Sequence, residues 1–453
     1  MRNLVLKITG VIFLGFVLSV FTVPVFGEEN GESQNRNSAI SLQQAVRDGV
    51  KNHLGVLNSI LEEEAFQRKR SIAENLKRFT VGLSGSYLFR SVQPELRLGE
   101  MISIPGLPFS IPDQTIGTKH TYDIAVSLKQ PILTGGVLSS AVKMEEIRGT
   151  VQENQTELRK IEAAGLIKRS YLTWRLLQQK KESVFRLMDN LKLHNQRLNQ
   201  YFEEDLVRKT DLLETEKRIQ ETLLNLADLD NAIESGKREF KRLCGHSPED
   251  ITEGYREEER SKEASLEYFL NSHPLIESLD RQMELAGIQE KMIKGRFSPQ
   301  LFTFAELHLG RPGIDFFQNE WNVYFQGGIT LSVPIFQWDK KKNELAVVDV
   351  QARMILNQKG DLLKEVEQNL DQLYISRLSI LEKLEHIKNL IRLTEEDASL
   401  KKQLYEEGQL PNIDYLSALT VRERYQSLRE ELLFQLQIVY ASINTLTGYS
   451  GGV

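Results

Sequence analysis

The chain is 453 residues long, with 26% charged residues and only 12 prolines, a composition that favours long helices over many short elements. With a formal net charge of −6 and no basic stripe, it is excluded from the class of general nucleic-acid binders. Its one cysteine, Cys244, has no partner for an intrachain disulfide, so stability must come from packing.

Residues 1–27 have the pattern of a secretory signal peptide. Two basic residues precede an uncharged run over residues 8–26, and Gly27 stands ahead of Glu28. A membrane anchor is the alternative, but glycines and a proline interrupt the run, which favours cleavage. We therefore expect a secreted chain that starts near Glu28. It carries no lipid there, because Cys244 lies far from the signal exit.

The first structural unit, residues 28–245, begins with a helix and continues into two predicted strands. Apolar and polar side chains alternate at residues 81–89 and again at 121–128, which indicates strands with one apolar and one polar face. Residues 94–117 between them are rich in proline and glycine and are typical of a surface loop.

A long helix follows Gly136. Apolar residues recur along it at spacings of three and four, with His194 as a polar exception, and a continuous helix to Phe202 would extend ~100 Å. A shorter helix with the same spacing ends the unit. Residues 246–264 are dense in Glu and Arg and lack apolar periodicity, so they are predicted to be a solvated connector.

The second unit, residues 265–453, repeats the order of helix, two strands, long helix and shorter helix. Alternation is clearest at residues 321–333, whereas the strand near 301–309 is less clear. In its long helix Thr394 is the polar exception to the apolar spacing.

The two units are copies related by an offset of 203 residues, without a gap from residue 128 to residue 245. Further upstream the offset is 224, where Ser41-Leu42 matches Ser265-Leu266. The residues of the first copy that recur at offset 203 are Leu128, Pro131, Ile132, Tyr171, Leu187, Glu203, Glu204, Asp211, Leu243 and Gly245.

The predicted strands fit a membrane better than a soluble sheet. A half-buried soluble sheet gives the same alternation and is the alternative, but the strands lack a second sheet or a matching amphipathic cover. Beyond residue 27 no apolar run approaches the ~20 residues of a spanning helix, so a membrane crossing must use strands. Four strands cannot close a barrel, whereas three copies would supply twelve.

Each copy passes from strand to long helix through an apolar-Pro-apolar-apolar motif, at Pro131 and at Pro334. Proline at such a junction can break the sheet ladder while starting the helix. Residues 405–408 read Tyr-Glu-Glu-Gly and are followed by Asp-Tyr-Leu at 414–416, and the chain reaches Leu-Thr-Gly at 446–448. With the duplication and the signal peptide, these motifs resemble the outer-membrane efflux protein family, whose type member is TolC.

The resemblance implies a mostly helical fold with a small β part. Long coiled-coil helices would form a trimeric α-barrel, continued by a shared twelve-stranded transmembrane β-barrel with four strands per chain. A homotrimer would lie in the outer-membrane lipid of a Gram-negative cell and extend into the periplasm. It would be the exit duct of a tripartite efflux or type I secretion system, served by a periplasmic adaptor (membrane fusion) protein and an inner-membrane pump.

The resemblance also implies a periplasmic entrance at the helix-to-helix turns. Asp414, beyond the turn glycine Gly408, matches an aspartate that lines this entrance, and a mere helix cap is the alternative for it. Tyr405 and Asp211 match positions that hydrogen-bond between the two turns of one subunit in the closed state.

Three positions depart from the family pattern. Asp205 replaces the glycine of the first turn, and aspartate tolerates a left-handed backbone better than most residues. Ser417 stands in place of a second entrance acid, and Leu410 in place of a gating arginine. Both weaker cation selectivity and a different set of gate bonds are open expectations.

No residues converge on a recognisable catalytic or metal-binding arrangement. The seven histidines contain no pair at ligand spacing, so we expect no enzymatic activity, no metal and no cofactor. A non-conducting periplasmic coiled-coil scaffold is the main functional alternative to the duct.

Overall fold

The computed structural model describes residues 40–93, 95–96, 114–115, 117–252, 259–315 and 317–449. The signal peptide expected at residues 1–27 and most of the loop expected at 94–117 lie outside these residues.

Within the described residues the chain runs twice through a similar order of elements. The first series is α1 (Leu42–Asn52), α2 (Leu54–Asn75), β1 (Thr80–Phe89), β2 (Glu95–Leu96), β3 (Gln114–Thr115), β4 (His120–Leu133), α3 (Val137–Glu203) and α4 (Lys209–Cys244). After a 3-10 helix (Pro248–Asp250), the second series is α5 (Lys262–Ser272), α6 (Pro274–Arg296), β5 (Gln300–Arg311), β6 (Asn322–Ser332), α7 (Lys340–Glu406) and α8 (Asn412–Thr447). The predicted mostly helical fold with a small β part is confirmed.

The long helices of the two series have equal lengths. Helices α3 and α7 each have 67 residues, and α4 and α8 each have 36. A 67-residue helix extends ~100 Å at 1.5 Å per residue. No helix in the described part of the chain combines the length and the apolar character that a membrane span requires.

The first helix of each series is broken in two. The hydroxyls of Ser41 and Ser261 accept the Gln44 and Ala264 amides at the two helix starts, and these serines are 220 residues apart. Ser265, which was expected to match Ser41, instead lies buried one turn inside α5. The predicted offset of 224 for this segment is therefore wrong, because a serine-leucine pair recurs by chance one turn after the true helix start.

Helix α3 is the central helix of the chain and packs against α2, α4, α6 and α8. In the first series, Ile167 and Tyr171 of α3 pack with Phe240 of α4 in one core. In the second series, Leu370 of α7 packs with Phe269 in another. The two cores place apolar side chains on the inner faces of both helix pairs, as the 3-4 spacing predicts.

Helix α7 lies at an edge of the chain, where it packs mainly against α8 and α6, with fewer contacts to α5 and, near its end, to His194 and Arg197 of α3. It buries six of its residues, whereas α3, with the same length, buries 19. Its exposed apolar side chains include Leu356, Ile375 and Leu378. One long face of α7 is therefore apolar and uncovered within a single chain.

The four long strands form one antiparallel sheet in the order β1-β4-β5-β6. One face of the sheet is apolar and exposed, and it carries aligned rows such as Leu83, Val126, Leu307 and Phe325. The opposite face carries polar rows, of which Ser127, Glu306 and Gln326 form one. Strands β1 and β6 are the two edges, and neither has an outer partner within the described residues of the chain.

The junction prolines do not start the long helices. Pro131 stays within β4 opposite Phe302, next to a register shift, and α3 begins only at Val137. Pro334 lies between β6 and α7, which begins at Lys340. The expectation that proline starts each helix is wrong, because several residues of turn separate proline from helix in both copies.

Left-handed residues make these turns instead. Gly135 and Trp338, which are 203 residues apart, have φ of +59° and +48°. A Cβ on Gly135 would lie 2.4 Å from the carbonyl oxygen of Gly295, at the end of α6, so this position requires glycine. Trp338 is 87% exposed, and the second copy therefore has room for a large side chain at the same backbone position.

Candidate functional site

The two helix-to-helix turns, residues 204–208 and 407–411, have the same backbone structure. In the first, the Leu206 amide donates to the Tyr201 carbonyl oxygen at 2.8 Å. In the second, the Gln409 amide donates to the Leu404 carbonyl oxygen, also at 2.8 Å. This six-to-one bond is the Schellman motif, which ends a helix with one left-handed residue.

The left-handed residues are Asp205, with φ of +57°, and Gly408, with φ of +70°. Asp205 thus adopts the left-handed backbone expected at a position where the family pattern has glycine. No atom lies within 4 Å of a Cβ built on Gly408, so backbone conformation alone favours glycine there. Both residues are exposed at the tip of their helix pair.

The two aspartates after these turns behave differently. The Asp211 carboxylate accepts the Arg208 amide at 3.1 Å and so stabilises the start of α4. Asp414 holds the same place in α8, but the residue three positions earlier is Pro411, which has no N–H to donate. No side chain caps the start of α8, and Asp414 is exposed. This geometry argues against a helix cap for Asp414 and leaves its carboxylate exposed.

The hydrogen bond expected between Tyr405 and Asp211 is absent from this structure. The Tyr405 hydroxyl is buried and has no hydrogen-bond partner in the described part of the chain, because the Asp211 carboxylate points to the Arg208 amide. Burial first, and then the nearby Asp211 carboxylate, raise the pKa of Tyr405 to about 12. The Tyr405 ring stacks on Tyr415 with centroids 5.7 Å apart. Tyr405 therefore joins the helices by packing.

A hydrogen-bonded cluster around Asn412 connects the helices instead. Nε2 of His194, in α3, lies 2.5 Å from Oδ1 of Asn412, the first residue of α8. Nδ2 of Asn412 donates to the Asp211 carbonyl oxygen and to Oγ1 of Thr215, both at 3.1 Å and both in α4. One amide thus bonds α8 to both helices of the first pair.

Sequence reasoning missed Asn412 entirely. The available signal was His194, a histidine that interrupts an apolar stripe near the end of a long helix. A polar residue in such a stripe is buried and needs a partner, which the sequence does not identify.

The remaining predicted entrance residues lie close to this cluster in sequence but make no polar contact in it. Leu410 is half-buried in the second turn, and Ser417 is exposed one turn into α8. A partly exposed ion pair joins Arg197 of α3 to Glu406 of α7 at 3.2 Å. Among the residues that the structure describes, no group of three or more His, Cys, Asp or Glu could hold a metal ion.

No protein-family model matches the chain, and no curated protein matches it. Several solved structures do. The outer membrane protein VceC from Vibrio cholerae is 14% identical, with a TM-score of 0.70 over 90% of this chain and 96% of VceC. The open state of the MtrE outer membrane channel from Neisseria gonorrhoeae is 12% identical, with a TM-score of 0.70 over 92% of this chain and 93% of MtrE. The CmeC outer membrane channel from Campylobacter jejuni is 13% identical, with a TM-score of 0.68 over 90% of this chain and 85% of CmeC.

The chain has the fold of these outer-membrane proteins. The resemblance to a TolC-like fold that the motifs predicted is thereby confirmed. In this channel fold, the sheet and the two turns lie at opposite ends of the long helices, because α3 and α7 each begin next to the sheet and end at a turn.

Proposed function

We propose that this chain is the exit duct of a tripartite efflux or type I secretion system, a homotrimer in the outer membrane of a Gram-negative cell. The observation that carries the proposal is a sheet with one apolar face and two unpaired edges, at one end of helices ~100 Å long. Substrates would be handed over at the other end by a periplasmic adaptor and an inner-membrane pump. The duct itself would conduct passively and catalyse nothing.

The apolar face of the sheet has the chemistry of a lipid contact. At the far end of the strands, Tyr122 packs between Tyr87 and Trp321. At the helix end, Phe336 packs against Trp338, and both rings are exposed. Aromatic residues at both ends of an apolar band are typical of strands that span an outer membrane.

Two features support assembly from identical copies. The unpaired edges of β1 and β6 would pair with those of neighbouring copies, and three copies of four strands give twelve. The uncovered apolar face of α7 would be buried against a neighbour in the same assembly.

The test is single-channel recording of the purified protein in planar bilayers, with cell fractionation and the oligomeric state in detergent. We expect stepwise conductance from a trimer found in the outer-membrane fraction. Ile329→Lys places a charge on the apolar face, where a lysine in contact with lipid is unfavourable, so it should reduce insertion. Thr330→Lys, one residue along on the polar face, is the matched control and should insert.

A soluble periplasmic monomer without conductance would overturn the proposal and favour a coiled-coil scaffold. Equal insertion of the two lysine variants would show that the apolar face of the sheet does not contact lipid.

A further inference from the structure

The contact between His194 and Asn412 is the buried polar link between the second turn and the first helix pair. His194 is only 6% exposed and Asn412 only 2% exposed. Because Asn412 lies at the start of α8, directly after the turn at 407–411, any outward movement of that turn must break this contact or carry it along.

The hydrogen-bond network assigns the protons in this contact. Nδ2 of Asn412 faces the Asp211 carbonyl oxygen, which can only accept, so Oδ1 of Asn412 faces His194. His194 must then donate from Nε2, and the neutral imidazole carries its proton there. A second proton can add only at Nδ1, which places a full charge on a buried ring.

The groups around the imidazole do not neutralise that charge. From its own helix, Arg197 contributes a positive charge, and the carboxylate of Glu406 in α7 is paired with that arginine. Tyr405 of α7 and Tyr415 of α8 meet the ring edge to face, with centroids at 5.2 and 4.9 Å.

From α4, the backbone carbonyl of Asp211 and the hydroxyl of Thr215 take part, both through Asn412, whereas the Asp211 carboxylate is bonded to the Arg208 amide. Within the described residues, no carboxylate forms an ion pair with His194.

We propose that the His194–Asn412 contact is a proton-sensitive latch, which holds the second turn against the first helix pair and loosens when His194 takes up a proton. The proposal rests on the proposed duct function and adds a regulating signal to its entrance. His194 is a positioning residue in this scheme, since it acts through Asn412 and touches no cargo.

The direction of the pH effect follows from the environment of the ring. Burial holds the pKa of His194 below its usual value of 6.5. The hydrogen bond to Asn412 raises this pKa, and the positive charge of Arg197 lowers it further. A group with a lowered pKa in the packed state stabilises that state above its ordinary pKa and loses this effect as the pH falls below it. Acidification should therefore favour the released turn. If the packed ring stayed neutral throughout, the equilibrium constant for release of the turn would rise by at most about tenfold per subunit between about pH 7.5 and about pH 5.5.

The experiment measures amide hydrogen exchange of residues 407–415 in the purified full-length protein, together with channel open probability, at both pH values. Variants are compared at the same pH, so that the intrinsic pH dependence of exchange cancels. Relative to His194→Gln at the same pH, acid should raise both the exchange rate and the open probability of the wild-type protein by several-fold. His194→Gln keeps an amide that can donate to Asn412 but cannot titrate, so its acid response should be lost. His386→Gln removes an exposed histidine of α7 and should respond like the wild type.

A second variant guards against misfolding at His194. Arg197→Gln removes the neighbouring positive charge while leaving the His194–Asn412 bond intact, and it should shrink the acid response without abolishing it. The latch is wrong if His194→Gln shows the wild-type exchange response, even when the protein conducts. Conversely, a latch response in a protein that never conducts would overturn the duct function and leave the latch standing.

Discussion

Asp414 stands in α8 where Asp211 stands in α4, but only Asp211 bonds the backbone at the start of its own helix. The difference comes from the residue three positions earlier, because Arg208 has an amide to donate and Pro411 has none. The same position in the two copies therefore differs: the Asp211 carboxylate bonds the start of its helix, and the Asp414 carboxylate makes no such bond.

The first prediction concerns helix stability. Asp211→Ala should lower the free energy of unfolding by about 1 kcal/mol more than Asp414→Ala does, since both lose a favourable charge near a helix start but only the former loses a hydrogen bond. Denaturant unfolding of both variants at neutral pH measures the difference. Equal losses would mean that the Asp211 bond contributes nothing.

The second prediction tests Asp414 as an entrance group and depends on the proposed duct. Asp414→Asn should reduce the preference for cations, because a trimer would lose three carboxylates from one constriction. Reversal potentials under a salt gradient measure the preference, at low salt where screening is weak. Asp205→Asn is the control, because asparagine tolerates the left-handed backbone of the first turn. If both variants change selectivity equally, Asp414 has no special place at the entrance.

The third prediction follows from the unpartnered hydroxyl of Tyr405. Tyr405→Phe should leave the free energy of unfolding unchanged or raise it, because it removes a buried polar group that makes no hydrogen bond. The matched control is Tyr374→Phe, whose hydroxyl donates to the Arg260 carbonyl oxygen at 2.7 Å. That variant should lose about 0.5–1.5 kcal/mol. A loss in Tyr405→Phe as large as in Tyr374→Phe would indicate a bond to Tyr405 in solution.

The fourth prediction separates backbone strain from close packing at two left-handed glycines. Asparagine tolerates this backbone, so Gly408→Asn should cost little, since nothing lies near its Cβ. Gly135→Asn has a similar φ but would push its Cβ into the Gly295 carbonyl, and it should lower the yield of folded protein markedly. Thermal unfolding of detergent-purified material compares the two. Similar melting temperatures would show that α6 can move away from the junction.

The fifth prediction is a pH effect on stability at His273, which lies between α5 and α6. Its Nδ1 accepts the Leu275 amide at the start of α6, and burial lowers its pKa to about 4 from a usual 6.5. The unfolded chain takes up this proton first, so stability should fall from about pH 6.5 down to about pH 4, by on the order of 3 kcal/mol.

His273→Asn provides the control for this effect, because asparagine also caps helices and does not titrate. Unfolding midpoints across this pH range should fall less in the variant than in the wild type. Parallel curves would assign the acid sensitivity to other groups.

The long helices could be predicted closely from the sequence. The spacing of three and four predicted a helix from Gly136 to Phe202, and α3 runs over Val137–Glu203. Such a period persists over many turns, so it survives one polar exception such as His194. Strand β5 was less clear because Phe302 and Phe304 lie on the same face as Glu306, which breaks the alternation. Phe304 covers Gly328 on the neighbouring strand, a contact that the sequence pattern does not indicate.

The bonds at the turns could not be predicted in the same way. His194 and Asn412 are 218 residues apart, and no periodic pattern links them. The resemblance pointed to Tyr405 and Asp211, but the Arg208 amide competes for the same carboxylate. Likewise, Trp338 in a left-handed conformation runs against the local preference of a bulky residue, and only the repeat with Gly135 hinted at it.

The unequal burial of α3 and α7 has a consequence for variants of this protein. The core organised around α3 is complete within one chain, whereas the outer face of α7 is uncovered, so in the proposed trimer its burial would depend on the concentration of chains. Substitutions on that face would leave each subunit folded and yet lower the fraction assembled, by an amount that depends on expression level.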